Sequence, residues 1–142
     1  MCGVPFHAVD AYVARLVEKG YRVAIGEQME DPALAKGLVD RDVVRVITAG
    51  TVTDPAMLED KANNYLMCVY LDGKHAGIAW TDVSTGEFSV MEPELSLLGA
   101  QISRIQPMEV ICNDAAALIS VAGNGIRGLS GQPQTWFQRK NA

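Results

Sequence analysis

The second half of the chain alternates short β-favouring runs with tight-turn sequences, and this pattern restricts the possible folds more than any other feature. Residues 64–71, 75–82 and 87–91 are rich in β-branched and aromatic side chains, which favour strands. Asp72-Gly73 separates the first two runs and Ser84-Thr85-Gly86 separates the last two, and both are typical turn sequences. Because short turns join them, the three runs are predicted to form antiparallel neighbouring strands.

The residues that follow predict a helix, a strand and a second helix. Residues 94–105 carry apolar side chains at helical spacing, and Pro107 ends that helix. The run MEVIC at 108–112 is predicted to be a strand parallel to one of the first three, because a helix connects it to them. Asp114 caps the next helix, and the glycine-rich residues 123–134 are predicted to be loop. The order βββαβα is analogous in architecture to the first half of a ribonuclease-H-like sheet.

The first half of the chain predicts a smaller set of helices and strands. An apolar stripe predicts a helix that ends at Lys19-Gly20. Residues 21–25 and 43–48 are predicted strands, while Asp31-Pro32 and Asp54-Pro55 each begin a short helix, ALAK and PAMLED. The stripe consists of Val9, Tyr12, Val13, Leu16 and Val17.

The change in pattern near Asp54 predicts two α/β modules. A mixed-sheet α/β module is placed at residues 1–53, a linker at 54–63, and the βββαβα module at 64–142. The fold class is therefore α/β.

Composition argues against several protein classes. No apolar run approaches the about 20 residues that a membrane span needs, and no signal peptide is visible, so a cytoplasmic protein without a membrane partner is expected. Three scattered cysteines without a CxxC pair indicate neither a disulfide framework nor a metal site, and Cys68 and Cys112 are predicted to be buried. Neither a phosphate loop nor a catalytic triad is present. We therefore expect no catalytic, metal-binding or cofactor-binding residues.

Asp82-Val-Ser-Thr-Gly86 leaves one enzymatic alternative open. An aspartate at a strand end before small hydroxyl residues resembles the phosphate loop of sugar-kinase-like ATPases, or the first carboxylate of a ribonuclease-H nuclease. Such a nuclease needs several carboxylates around metal ions, whereas residues 65–70 carry none and Asp114 is explained as a helix cap. A plain hairpin turn is favoured. The alternative is a metal- or nucleotide-dependent ribonuclease-H-like module in residues 64–142.

Charge gives only local support for nucleic-acid binding. The net charge is -5, whereas phosphate binding needs clustered cations. Phe6 and Tyr12 are predicted to be core aromatics rather than base-stacking platforms. The nearest approach to a basic cluster consists of Arg22, Lys36, Arg41 and Arg45, with Asp40 and Asp42 between them.

Two stretches closely resemble the MutS family of DNA mismatch-repair proteins. The family segment G-[IV]-P-[YF]-H-A runs here as Gly3-Val-Pro-Phe-His-Ala8, and VAI-x-EQ runs as Val23-Ala-Ile-Gly-Glu-Gln28. The family's second strand motif runs here as Val43-Val-Arg-Val-Ile-Thr48. Residues 64–91, with P-x-E-V-I at 107–111, look like the start of the family's connector domain. Gly26 and Ala49 depart from the family's usual cysteine and proline.

The resemblance implies that the chain consists of two partial modules. Residues 1–53 correspond to the rear part of the mismatch-binding domain, and residues 64–142 correspond to the front part of the connector. The family's Phe-x-Glu motif, which wedges an aromatic ring beside a mismatch, does not occur here. The family's clamp, lever and ATPase domains are expected to be absent too, in line with the missing phosphate loop. ATP and magnesium are therefore expected only in a full-length parent, and a non-catalytic role in DNA contact and domain relay is expected here.

The resemblance also implies site residues and partners. The loop at residues 1–6 and the basic loop around residues 36–41 are expected on the DNA-facing side, with Arg41 as the best candidate for a phosphate contact. The expected partners are double-stranded DNA with mismatches and, through the connector, MutL, and open sheet edges make self-association possible. The candidate DNA-binding residues are Met1, Cys2, Gly3, Pro5, Phe6, Lys36 and Arg41.

Overall fold

The chain forms two compact units that divide between Thr48 and Ala49. The computed structural model describes residues 2–34, 37–54, 57 and 63–138. The first unit contains a two-stranded sheet and the second a five-stranded sheet, which confirms the predicted α/β class with two modules. The module limits at residues 53 and 64 stay predictions. In the described part of the chain, no helix is both long enough and apolar enough to cross a membrane.

The first unit consists of one helix and one antiparallel strand pair. Helix α1, Val9–Glu18, follows a 3-10 turn at Phe6–Ala8 and buries Val13 and Val17, which confirms the predicted helix. Tyr12 and Leu16 of the predicted stripe are exposed. Gly20, at φ +81°, ends the helix in a left-handed conformation that suits glycine. Strand β1, Val23–Gln28, pairs with strand β2, Arg41–Ile47, from Val23 opposite Ile47 to Gln28 opposite Arg41.

Of the two short helices predicted to begin at Asp31 and Asp54, the first is a turn in its described residues and the second lies mostly outside them. Residues 32–34 form a turn, in which the Leu34 amide donates to the Asp31 carbonyl at 2.9 Å. The Asp31 carboxylate accepts from the Ala33 amide at 2.9 Å, so the predicted cap stabilises a turn. The helix prediction is wrong for these residues, while residues 35–36 lie outside the described part. The helix predicted at 55–60 falls on residues of which only Met57 is described.

The second unit is a mixed sheet with two helices. Its strand order is β5-β4-β3-β6-β7. Strands β3, β4 and β5 are antiparallel neighbours, and β6 runs parallel to β3, as predicted from the turn and helix connections. The elements are β3 Tyr65–Leu71, β4 Ala76–Asp82, β5 Glu87–Met91, α2 Leu98–Ile105, β6 Glu109–Cys112, α3 Ala115–Ala122 and β7 Leu129–Gly131.

Strand β7 lies in the glycine-rich segment that the sequence predicts to be loop, and that prediction is wrong. The strand runs parallel to β6, with Val110 opposite Leu129 and Cys112 opposite Gly131. Gly128 adopts φ +61° just before it, and a side chain there would meet the Met108 carbonyl oxygen at 2.7 Å. The segment has a low intrinsic preference for strands, and it forms one because β6 provides hydrogen-bond partners for its backbone.

The core of the second unit lies between the sheet and its two helices. Alternate residues of β3 point into it, including Met67 and Val69, which are fully buried with Leu98 and Leu118. Each such side chain contributes about 1.5–3 kcal/mol by leaving water. Cys112 is buried as predicted, and Cys68 is half-buried. Burial raises the pKa of both thiols, so they act here as small apolar groups.

Candidate nucleic-acid interface

The segment before helix α1 presents an aromatic ring to solvent. Pro5 has an extended backbone, and its carbonyl accepts a hydrogen bond from the Ala8 amide at 2.9 Å. This turn starts the helix and leaves the Phe6 side chain 90% exposed. Cys2, Gly3 and Pro5 are exposed beside it. These four candidates therefore form one continuous exposed segment.

The prediction that Phe6 and Tyr12 are core aromatics is wrong. Phe6 precedes the helical stripe, and Tyr12 is 44% exposed because it lies at the edge of the face that buries Val13 and Val17. The Arg15 guanidinium lies over the Tyr12 ring at 4.8 Å from its centre. Arg15 was not among the predicted site residues, although its spacing of three residues from Tyr12 on a helix was the signal for this pair.

Arg41 lies at the start of strand β2, where it is exposed. One of its terminal nitrogens donates to the Val39 carbonyl oxygen at 3.1 Å. This bond holds the side chain along the turn that enters the strand. A guanidinium has five donor N–H groups in a planar fork, so Arg41 retains donors for a phosphate oxygen.

Carboxylates surround Arg41 and limit the positive potential there. Glu30 accepts from the Asp40 amide at 3.0 Å, and Asp42 accepts from the Val43 amide at 2.7 Å. Asp42 also lies opposite Glu27 in the strand pair. These hydrogen bonds order the loop, while the charges remain. The site therefore suits a single phosphate contact rather than a broad nucleic-acid-binding surface.

Two of the candidate DNA-binding residues cannot be placed, and the others lie in two separate parts of the first unit. Met1 and Lys36 lie outside the described residues. No described hydrogen bond or ion pair joins the segment at residues 2–6 to Arg41. The structure thus presents an aromatic segment and one cation as separate features of the first unit.

Asp82, the candidate first carboxylate of an enzyme, is used inside the fold. Its side chain is 3% exposed, and it accepts from the Asn64 amide at 3.0 Å and from the Ser84 amide and hydroxyl at 2.9 and 2.6 Å. The Ser84 hydroxyl lowers the Asp82 pKa most, with backbone amides assisting and burial opposing. Gly86 closes the turn at φ +78°. The prediction of a hairpin turn is confirmed.

Asp114, the other carboxylate considered for the enzyme, caps helix α3. It accepts from the Ala117 amide at 2.9 Å, as predicted. Among the residues that the structure describes, no three or more His, Cys, Asp or Glu side chains form a group suited to a metal ion. The geometry of the described residues therefore gives the nuclease alternative no support.

The second unit contains an open groove of about 1010 Å³ beside the ends of α2 and α3. Trp80, Ile102 and Met108 contribute its apolar lining, and Arg104 and Arg127 contribute positive charge. Arg104 donates to Gln101 at 2.9 Å, and Arg127 approaches the Met108 sulfur at 3.4 Å. Tryptophan, methionine and arginine are enriched at protein interfaces. The groove therefore has the composition of a protein-binding surface.

Part of the groove lining is polar. The Tyr65 hydroxyl donates to Glu87 at 3.2 Å and accepts from the Asn63 side-chain amide at 2.7 Å. Burial raises the Tyr65 pKa, and the Glu87 carboxylate raises it further. This hydroxyl therefore stays protonated near neutral pH and serves as a fixed donor.

Comparison with known proteins identifies the same two modules. MutS domain I matches residues 1–56, and MutS domain II matches residues 64–141. The chain is similar to the DNA mismatch repair protein MutS of Acetivibrio thermocellus, with 53% identity over 117 residues, and of Clostridioides difficile, with 53% over 114 residues. It is also similar to the MutS protein of Symbiobacterium thermophilum, with 49% identity over 128 residues.

These matches cover most of the chain but a small part of each relative. They include 80%, 80% and 87% of this chain, and 13%, 12% and 15% of the respective relatives. The chain thus spans less than a sixth of the length of these proteins. The resemblance inferred from the sequence motifs is confirmed, and the chain belongs to the MutS family, within its domains I and II.

Proposed function

We propose that the chain contributes a DNA-backbone contact and a domain relay to mismatch recognition by a longer MutS protein. Double-stranded DNA with a mismatch is the ligand of that longer protein, and the chain itself catalyses no reaction. The observation that carries the proposal is the exposed Arg41 guanidinium within the stretch that matches MutS domain I. The relatives are DNA mismatch repair proteins by name, which supports the same role.

Arg41 acts through charge and position rather than through base recognition. A phosphate contact fixes the register of a protein on the duplex and carries no sequence information. Exposed Phe6 lies in the same unit and offers an apolar contact. ATP and magnesium belong to the longer protein, and the cytoplasm is its setting.

The test replaces Arg41 by Ala in a full-length MutS protein that contains this segment. Affinity for matched and mismatched duplexes is measured by fluorescence anisotropy over a series of salt concentrations. We expect weaker binding to both duplexes and a salt slope smaller by about one. Lys74→Ala, at the turn between β3 and β4, is the control and leaves the slope unchanged. An unchanged slope for Arg41→Ala rejects the contact.

We also propose that the groove of the second unit receives MutL in the longer protein. Neither Arg104 nor Arg127 forms an ion pair among the described residues, so both are available to carboxylates of a partner. We expect the double substitution of both arginines by Ala to weaken MutL binding in surface plasmon resonance by at least about tenfold, with Lys74→Ala as the control. Equal affinities of the two variants reject this surface.

Self-association is a further proposal for the isolated chain. Val43, Val44 and Val46 are between 49% and 58% exposed on strand β2, which has one partner strand among the described residues. Exposed apolar strands pair readily with other copies.

A further inference from the structure

The chain segment that follows the division between the units is bonded to the five-stranded sheet. The Gly50 amide lies in a 3-10 turn at Ala49–Thr51 and donates to the Glu109 carboxylate at 3.2 Å. Gly50 is buried and Glu109 is 6% exposed. Glu109 is the first residue of β6. A buried carboxylate at a strand end thus binds a backbone group 59 residues earlier in the chain.

A second buried carboxylate, that of Asp82, binds Asn64, and the Asn64 side chain in turn contacts Val52 in the same segment. Asn64 directly precedes β3, and its amide donates to the buried Asp82 carboxylate at 3.0 Å. The Asn64 side chain lies 3.4 Å from the Val52 carbonyl oxygen in donor geometry. Val52 and Asn64 are 4% and 7% exposed. Charged and polar groups are buried only at considerable cost unless they are paired, so these contacts account for the presence of both acids here.

The packing at Gly50 leaves little room for a side chain. A Cβ atom there would lie 3.0 Å from the Glu109 Cβ atom and 3.1 Å from the Leu66 Cβ atom. The close approach, rather than a left-handed backbone, therefore favours glycine at this position. The turn at Ala49–Thr51 therefore packs directly against strands β3 and β6.

We propose that Glu109 and Asp82 are positioning residues that fasten residues 50–52 and Asn64 to the connector sheet. The boundary between the modules then lies before Gly50, rather than at residue 56, where the match to MutS domain I ends. The fastening rests on contacts inside the second unit alone. Its consequence, that a DNA-bound state reaches the sheet through Gly50 and β6, rests on the proposed function.

Amide hydrogen exchange of the whole chain, measured by NMR without DNA, tests the fastening. We expect the Gly50 amide to be protected to the same degree as the amides of β3 and β6. Glu109→Ala removes the acceptor and raises exchange at Gly50 by about tenfold, the equivalent of one hydrogen bond. Glu109→Gln retains an acceptor oxygen and restores protection. Exchange at Gly50 in the wild type as fast as in an open loop overturns the proposal.

Two glycine substitutions provide a matched second measurement. Gly50→Ala crowds Glu109, so we expect faster exchange at residue 50 and at Asn64. Gly77→Ala is the control, because nothing lies within 4 Å of a Cβ atom at that position in β4. Equal exchange in the two variants overturns the proposal. If Glu109→Ala unfolds the chain, Glu109→Gln decides: retained protection supports the fastening, and fast exchange at Gly50 refutes it. Since DNA is absent, the Arg41 test succeeds or fails independently.

Discussion

Replacement of Asp82 by Asn is expected to destabilise the second unit by about 1–3 kcal/mol, since it leaves a buried donor unpaired. One carboxylate oxygen of Asp82 accepts from the Asn64 amide, and the other accepts from the Ser84 amide and hydroxyl. An asparagine has one oxygen and one amino group. If the oxygen stays with Ser84, the amino group faces the Asn64 N–H donor, and neither finds an acceptor.

The loss of stability is expected to depend on pH. The Asp82 pKa is lowered in the folded state, chiefly by the Ser84 hydroxyl. A lowered pKa contributes stability that is present above the ordinary aspartate pKa of about 3.9 and is lost as pH falls through the folded value. Asparagine does not titrate. The difference in free energy of unfolding between wild type and variant should therefore shrink as pH falls below about 5.

Urea unfolding followed by tryptophan fluorescence measures this difference. Trp80 and Trp136 both lie in the second unit, so the signal reports the unit that contains Asp82. Asp72→Asn is the matched control: one exposed Asp72 oxygen accepts from the Lys74 and His75 amides, and an asparagine oxygen replaces it. The reasoning is refuted if Asp82→Asn is as stable as Asp72→Asn, or if the loss is the same at all pH values.

Two further predictions concern binding. The isolated chain is expected to bind matched and mismatched duplexes equally, because its net charge is -5 and it has no Phe-x-Glu wedge motif. A clear preference for the mismatched duplex in an anisotropy titration would contradict this expectation. Magnesium or manganese with ATP is expected to leave the unfolding temperature unchanged, because Asp82 and Asp114 are engaged within the fold. A ligand present at 100 times its Kd would add about 2.7 kcal/mol to the free energy of unfolding. The corresponding rise in unfolding temperature, measured by differential scanning fluorimetry, would support the enzyme alternative.

The candidate interface could be predicted only in part. Motifs identified the family, and the structure shows that Phe6 and Arg41 are exposed, while their contacts with DNA stay predictions. Residue type alone predicted a buried Phe6, because aromatic side chains usually lie in cores. Its actual exposure depends on its place before the helical stripe. The fastening of Gly50 by Glu109 had no local signal, since the two residues are 59 positions apart.

Local patterns were sufficient for most of the elements. The sequence predicted the strands β3 to β5, the cap at Asp114 and the end of α1 at Gly20. Each of these features depends on a turn, a cap or a pattern within a few residues. At Asp31 the same local signal was ambiguous, since an aspartate before proline stabilises a turn as readily as a helix start.

Long-range contacts settled the rest. Strand β7 exists because β6 offers its free edge to a segment with little strand preference of its own. The buried carboxylates of Asp82 and Glu109 are tolerated because backbone amides from distant segments meet them. A sequence encodes turns, caps and periodicity through neighbouring residues. Which distant groups come together to satisfy a strand edge or a buried charge is determined only when the whole chain packs.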